Sequence, residues 1–470
     1  MASPTENLTE DLNSYFKAQQ QAYQQQSYPA YEERKIWLMR LYTLLQQEQH
    51  IFIDAINKDY VHRSADESQI AEIIPSLSAI KYCLKHLKKW MQPNSRDVAM
   101  LFQPAKAYVL AQPLGVIGIM VPWNYPLFLA FGPLCQALAA GNRVMLKMSE
   151  YTPHFAIAFK DAIGRVFPQD LITVVIGDTD TAKAFTQLPF NHLFFTGSTA
   201  VGQHIMQTAA ANLTPVTLEL GGKSPAIITK NAELDEAVER IAFGKTMNAG
   251  QTCVAPDYVL IDQSLKEDFI DKYLKTLEQF YPKVADNPDY TAIINDRHLK
   301  RLTDYVTDAI HHGAIIHQMQ GHSDGRRFLH CVLENMTDDM TIAHEEIFGP
   351  ILPVIPYEHL DDAIVYINQR PRPLALYYFG HDAKAQQHVI LNTHSGGICL
   401  NETLIHVAQE DLPFGGVGAS GMGRYHGIEG FKTFSHEKSV FVRPKLSFMK
   451  LIYPPYGTWI QKTLMKFYSK

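Results

Sequence analysis

From Ala107 to Asn142 the chain runs for 36 residues without a charged side chain. Such a run either crosses a bilayer or lies in the middle of a protein. It contains Pro113, Pro122, Pro126 and Pro133, and with them Gln112, Asn124 and Gln136. In hydrocarbon, these prolines and amides would strand backbone and side-chain groups without hydrogen-bond partners. A buried strand, a loop and a buried helix satisfy them. The run therefore marks a globular core.

The rest of the composition agrees. The 470 residues carry 42 Lys plus Arg against 48 Asp plus Glu, a net charge of −6, which gives no reason to expect a nucleic-acid partner. Cys83, Cys135, Cys253, Cys331 and Cys399 show no CxxC spacing, which argues against a disulfide scaffold and a structural zinc site. No metal site is expected, and His311, His312 and His317 read as surface residues. The first residues are polar and acidic, without a signal-peptide pattern, so a cytoplasmic protein is expected. Near the end, Phe448, Met449, Leu451, Ile452, Trp459, Ile460, Leu464, Met465 and Phe467 alternate with Lys450, Lys462, Lys466 and Lys470. Only 15 residues follow Pro454 and Pro455, too few to span a bilayer. The tail is expected to pack on the body, with weak contact to a membrane surface as the alternative.

Residues 1–90 read as helices. From Val144 onward strands and helices alternate: strands at 144–147, 171–176, 192–195 and 215–220, helices at 153–166, 181–187 and 200–211. A second such pattern runs from Asp235 to about Ile405, with helices near 235–248, 265–280 and 297–313. Repeated βαβ units predict parallel, helix-covered sheets with ligands at the carboxyl ends of the strands.

Several residues stand out for chemistry. Gly197-Ser198-Thr199-Ala200-Val201-Gly202 follows an apolar strand and opens a helix. It is either a pyrophosphate cradle or an ordinary strand-to-helix turn, and its GxxxxG spacing is not the GxGxxG fingerprint. Gly221-Gly222-Lys223-Ser224 looks like the end of a P-loop, but Thr217 stands where that motif needs glycine, so ATP hydrolysis is excluded. Glu219 lies in Val216-Thr217-Leu218-Glu219-Leu220, on the opposite face from the three apolar residues. It is either a solvated carboxylate or a partly desolvated general base. Cys253 stands in a polar loop beside glycine, as an inert thiol or an activated nucleophile. Asn124, among Trp123, Tyr125 and prolines, either caps a turn or donates to a developing oxyanion. Lys147 ends an apolar strand, where its ammonium either holds ribose hydroxyls or snorkels to water. Glu346 is a loop carboxylate or a ribose ligand.

The order of these signals is more specific than any one of them. Pro122-Trp123-Asn124, Lys147-Met148-Ser149-Glu150, Phe195 through Gly202, Leu218 through Pro225, Gly250-Gln251-Thr252-Cys253, Glu346 through Pro350 and Pro413-Phe414-Gly415-Gly416 follow in series. Together they closely resemble the aldehyde dehydrogenase superfamily over nearly the whole chain. Cys253 through Leu260 and Gly423 through His436 look like its class 3 branch. Tyr453-Pro454-Pro455-Tyr456-Gly457 looks like that branch's bacterial coniferyl-aldehyde dehydrogenases. Met148 departs from the proline usual in the branch.

The resemblance implies an α/β fold with a Rossmann-like NAD(P)-binding domain (1–95, 112–220 and 406–427) and a catalytic domain (221–405). It also implies oligomerisation strands (96–111 and 428–447) and a tail (448–470). By similarity Cys253 is the nucleophile, Glu219 the general base, and Asn124 part of the oxyanion hole. Gly197, Ser198, Thr199, Ala200, Val201 and Gly202 would face the cofactor pyrophosphate, Lys147 and Glu150 the adenosine ribose, and Glu346 and Phe348 the nicotinamide end. The implied activity is NAD(P)-dependent oxidation of an aromatic or aliphatic aldehyde through a thioester, with NAD favoured over NADP and a homodimer as the assembly. The alternative is a cysteine esterase or thioesterase that ignores NAD.

Overall fold

A computed structural model of the chain describes residues 4–284, 287–445 and 448–469. Among the described residues the main strands form three sheets. The first has six strands, in the order Gly421–Met422, Val216–Leu220, His192–Gly197, Val116–Met120, Arg143–Lys147 and Ile172–Val175. All neighbours are parallel except Gly421–Met422. The second has seven, in the order Ile315–Gln318, Cys331–Glu334, Ile351–Tyr357, Tyr258–Asp262, Pro225–Ile228, Ala375–Phe379 and Gly397–Leu400, parallel except at Ile315–Gln318. The third is antiparallel and joins Asn94–Arg96, Lys106–Pro113 and Ser435–Val442. This is the expected α/β architecture with a small β element.

The charge-free run explains itself here. Val116–Met120 is buried on both faces, as parallel strands covered by helices are. Helix Phe128–Ala140 is buried along its whole length. It ends at Gly141, whose left-handed φ of 90° suits glycine, and at the buried Arg34, whose Nη1 donates to the Ala139 and Ala140 carbonyls. Asn142 then donates to the Ala137 and Phe434 carbonyls and accepts from the Gly115 N–H.

The strand order reverses beside Val116–Met120. Arg143–Lys147 and Ile172–Val175 build outward on one side, and the chain then returns to lay His192–Gly197 on the other. A reversal of this kind opens a crevice at the carboxyl ends of the two central strands. From one end comes Pro122-Trp123-Asn124, from the other Gly197-Ser198-Thr199. The chain then leaves the first sheet at Leu220, passes Gly221 and Gly222, and enters the second at Pro225.

Some boundaries differ from the sequence reading. The helix expected to reach Asn248 stops at Thr246, because Asn248 and Ala249 take left-handed φ values of 52° and 51°. The helical stretch after Ser64 contains a π-helical turn, Gln69–Ile73, that no periodicity announced. His312 and His317 are not without carboxylates: they lie against Asp308 and Glu334. No helix among the described residues is long and apolar enough to cross a membrane. The tail forms helix Trp459–Tyr468, opened by a capping box between Thr458 and Gln461. Leu464 and Phe467 line a cavity with Met100, Leu101 and Ile452, so the tail packs in part, yet Trp459 stays 79% exposed.

Candidate active site

Cys253 follows three consecutive left-handed residues, Asn248, Ala249 and Gly250. Two of them carry side chains, which makes the backbone strained at this point. Gly250 has no alternative: a Cβ there would meet the Gly349 carbonyl oxygen at 2.4 Å. The loop is held by Gln251, whose Nε2 donates to the Asn248 and Ala292 carbonyls while its Oε1 accepts from the Ile294 N–H. Thr252 Oγ1 lies 2.6 Å from the Tyr125 hydroxyl. The Asn124 amide donates to the Gln251 carbonyl at 3.1 Å, two residues before Cys253. The amide has a second N–H to offer. The loop after one strand end of the first sheet is thus tied to the loop that carries the thiol.

Two carboxyls face that thiol. Glu219 is 3% exposed, and neither of its oxygens has a hydrogen-bond partner. It is not the solvated carboxylate that strand alternation also allowed. Strand Gly421–Met422 and residue Thr196 flank it on the two sides. Burial alone lifts its pKa well above the ordinary carboxylate range. Glu346 packs over Gly221, where a Cβ would sit 2.2 Å from both carboxylate oxygens. Burial raises it to about 7, against a hydrogen bond from the Gly222 N–H. Burial likewise pushes the Cys253 thiol up to about 12, and the Glu346 and Glu219 charges add to the rise, while the Cys253 and Val254 N–H groups oppose it. The thiol is partly accessible but not acidic.

One consequence is measurable without substrate. Above pH 7 Glu346 is ionised and disfavours the thiolate; below about pH 6 it is neutral and does not. Glu346→Gln should therefore speed iodoacetamide labelling of Cys253 by about three- to tenfold at pH 8, with the difference closing at pH 6. Peptide mass spectrometry separates Cys253 from the buried Cys83, Cys135, Cys331 and Cys399. Equal rates at pH 8 would refute the electrostatic coupling.

The crevice beside these groups has the features of a dinucleotide site. Helix Thr199–Ala210 begins at its edge, and Ser198 does not cap it with its side chain, so its first N–H groups are open to an anion. Gly202 lets that helix lie close on the sheet: a Cβ would stand 2.7 Å from Leu220 Cδ2. Val201 is apolar yet exposed. Lys147 is buried at the next strand end, where burial lowers its pKa. Its Nζ donates to the Met148 carbonyl at 2.7 Å and lies 3.7 Å from Glu150 Oε2. On the far side Phe348, with a left-handed φ of 47°, sets its ring against Trp123 at 5.4 Å. Arg301 holds that loop through the Glu346 and Phe348 carbonyls. An open helix N-terminus, a buried cation and an apolar lid fit an extended ligand with phosphates in the middle.

Comparison with known proteins decides which ligand and which chemistry. A model of the aldehyde dehydrogenase family matches residues 1–440. The chain belongs to the aldehyde dehydrogenase family. A Pseudomonas aeruginosa protein described as a probable coniferyl aldehyde dehydrogenase is 56% identical over 459 residues, covering 98% of this chain and 96% of that one. A Mus musculus protein described as a dimeric, NADP-preferring aldehyde dehydrogenase is 41% identical over 80% of this chain and 82% of its own length. The substrate-bound structure of Staphylococcus aureus AldH superposes with a TM-score of 0.92 at 40% identity, covering 97% of this chain and 99% of that one.

As an aldehyde dehydrogenase the chain is an oxidoreductase that uses NAD or NADP to oxidise an aldehyde. The esterase alternative gains nothing from the fold, since it leaves the crevice at Gly197–Gly202 without a role. Sequence reasoning brought Cys253, Glu219, Asn124 and Glu346 to notice, and the structure draws them together. It missed what holds them. Lys223, set aside with the rejected P-loop, pairs with Asp257 and donates to the Ile342 and Glu345 carbonyls, bracing the Glu346 loop. Gln251 and Tyr125 were read only as neighbours of Cys253 and Asn124. An amide directly after Gly250, in the loop that carries Cys253, was the available signal.

Proposed function

We propose that the chain oxidises an aromatic aldehyde of the coniferyl type to its carboxylic acid, with Cys253 as nucleophile, Glu219 as general base and NAD as the preferred cofactor. The observation that carries the reading is the Cys253 thiol held beside the buried Glu219 and half-buried Glu346 carboxyls, in a loop hydrogen-bonded to Asn124. The Cys253 thiolate adds to the aldehyde carbon, and the carbonyl electron pair moves to oxygen. The Asn124 amide and the Cys253 N–H hold that oxygen, at about 3–4 kcal/mol per donor. When bound in the crevice, a nicotinamide dinucleotide would supply the acceptor for the hydride that the substrate carbon loses. The acyl group is then a thioester on Cys253. Glu219 accepts a proton from water as the water oxygen bonds to the acyl carbon. The C–S bond breaks, and acid and thiolate separate. A carboxyl without partners suits this step, because its raised pKa makes it a stronger base.

The same proposal assigns the crevice. The N–H groups from Gly197 to Gly202, with Ser198, Thr199, Ala200 and Val201 between, hold the pyrophosphate. Lys147 and Glu150 hold the adenosine ribose, and Glu346 and Phe348 the nicotinamide end. Glu150 beside Lys147 would repel a 2′-phosphate, which favours NAD. The six-stranded sheet serves as the cofactor domain, the seven-stranded sheet as the catalytic domain and the three-stranded sheet as the oligomerisation element. Ser435–Val442 and Gly397–Leu400 end their sheets, and Phe441 and Val442 are exposed on the former, as a pairing edge in a homodimer would be. The Mus musculus relative is described as dimeric. The cytoplasm is the proposed compartment. Weak contact of the tail with a membrane surface is supported by exposed Trp459, Met465 and Phe467 beside Lys462 and Lys466.

The test is a panel of aromatic and medium- to long-chain aliphatic aldehydes, each with NAD and with NADP. Coniferyl aldehyde with NAD should give the highest kcat/KM. Glu150→Gln should raise kcat/KM for NADP relative to NAD. A preference for aliphatic aldehydes would move the substrate assignment to that class, and an unchanged cofactor ratio would remove Glu150 from it.

A further inference from the structure

We infer that Arg63 is a positioning residue for aldehyde oxidation: its guanidinium, clamped by Glu67 and Glu72, holds the Asn124 carbonyl and so fixes the Asn124 amide against the Cys253 loop. The inference rests on the oxyanion role proposed for Asn124.

Arg63 is 1% exposed and sits far from any surface need for charge. Its Nε lies 3.3 Å from Glu67 Oε1 and its Nη1 2.9 Å from Glu72 Oε1. The rings of Tyr60 and Tyr125 each stand 5.0 Å from the guanidinium carbon. From this clamp Nη1 donates to the Asn124 carbonyl at 3.1 Å. The same carbonyl accepts from the Tyr60 hydroxyl at 3.1 Å and from Asn248 Nδ2 at 2.9 Å. Three donors on one carbonyl leave the Asn124 backbone little freedom to rotate, and the side-chain amide leaves the same Cα.

The two carboxylates carry the constraint to the other walls. Glu67 Oε2 accepts the N–H of Asn248, the first left-handed residue before Cys253. Its Oε1 accepts from Thr291 Oγ1. Glu72 Oε2 accepts the N–H groups of Leu127 and Phe128, where the helix after Asn124 begins. Five residues separate the two carboxylates, which would place them on different faces of a regular α-helix. The π-helical turn Gln69–Ile73 lets both reach one guanidinium. Arg63 thus links the Asn124 loop, the Cys253 loop and the start of helix Phe128–Ala140.

Stability alone is a poor reason for such a cluster. A buried ion triad is often no more stabilising than apolar residues of the same volume. An oxyanion donor, in contrast, tolerates little displacement: misplacing a reacting geometry by about 1 Å can cost about 10²-fold in rate.

The experiment is a double-mutant cycle on kcat, with cofactor affinity and thermal midpoint measured for each protein. Arg63→Met should lower kcat about 10²-fold with the NAD dissociation constant unchanged. In an Asn124→Ala background the same replacement should cost less than about threefold, because the donor it positions is gone. If Arg63→Met does not fold, Tyr60→Phe decides, since it keeps the ring and removes one donor to the Asn124 carbonyl, together with the hydroxyl's longer contacts to the Trp123 carbonyl and Asn248 Nδ2. It should lower kcat by about three- to tenfold alone and leave it unchanged beside Asn124→Ala. Losses of equal factor in both backgrounds would overturn the positioning role while leaving the oxyanion role intact. Near-normal turnover of Asn124→Ala itself would overturn the oxyanion role, and this inference with it.

Discussion

Cys253→Ala should lower aldehyde-dependent NADH formation by about 10⁵- to 10⁶-fold, the loss seen when a covalent nucleophile is removed. NAD binding, followed by titration of intrinsic fluorescence, should survive, because the residues assigned to the pyrophosphate and the adenosine ribose follow strands of a different sheet from the one beside the thiol. The alanine fits without strain: Cys253 is absent from the residues with positive φ, and the left-handed stretch ends at Gly250. Oxidation above a few per cent of wild type would mean that the aldehyde is never bonded to sulfur. The prediction does not depend on the resting thiol being acidic. Burial and two neighbouring carboxyls push it up to about 12. Turnover should accordingly rise with pH through the neutral range, as more of the reactive thiolate forms.

The second large effect falls on the other half of the reaction. Glu219→Gln should permit one equivalent of NADH and then stall, with steady-state turnover down by about 10³-fold. The amide keeps the shape of the carboxyl but cannot take the proton from water, so acyl-enzyme accumulates. Intact-protein mass spectrometry should show the acyl adduct on Cys253 after a single turnover. The replacement should fold, since the wild-type carboxyl has no hydrogen bond to lose. Unchanged steady-state turnover would remove Glu219 from the mechanism. Loss of the burst as well would place it in the first half instead.

The alternation of strands and helices between Val144 and Leu220 was legible because its signals are local. Apolar runs of strand length, broken by Gly177, Gly197 and Gly221, announce each unit. The chemistry was legible in another way. Cys253, Glu219 and Asn124 are each ambiguous alone, and only their order along the chain singles them out. What could not be read was depth. Alternation put Glu219 on the opposite face from Leu218 and Leu220, but it could not say that Gly421–Met422 would cover its edge. Partners distant in sequence were equally silent. The Asn124 carbonyl lies 61 residues from Arg63, and the Asn248 N–H lies 181 from Glu67. Asn248 and Gly250 do offer a helix stop, but they could not say that the helix would end at Thr246, ahead of three left-handed residues. The tail helix, by contrast, had its start written in Thr458 and Gln461, a capping pair that composition alone obscured.

Glu219 rides on the first sheet and Cys253 precedes a strand of the second, with Gly221 through Ser224 as the chain between them. The proposed reaction centre is therefore a seam and belongs to neither half. A chimera that exchanged one half for that of a distant relative would inherit two competent components and no guarantee of their spacing. Transplanting a new cofactor preference or a new substrate pocket into this scaffold must keep the joint itself, glycines included, as the part that is not for exchange.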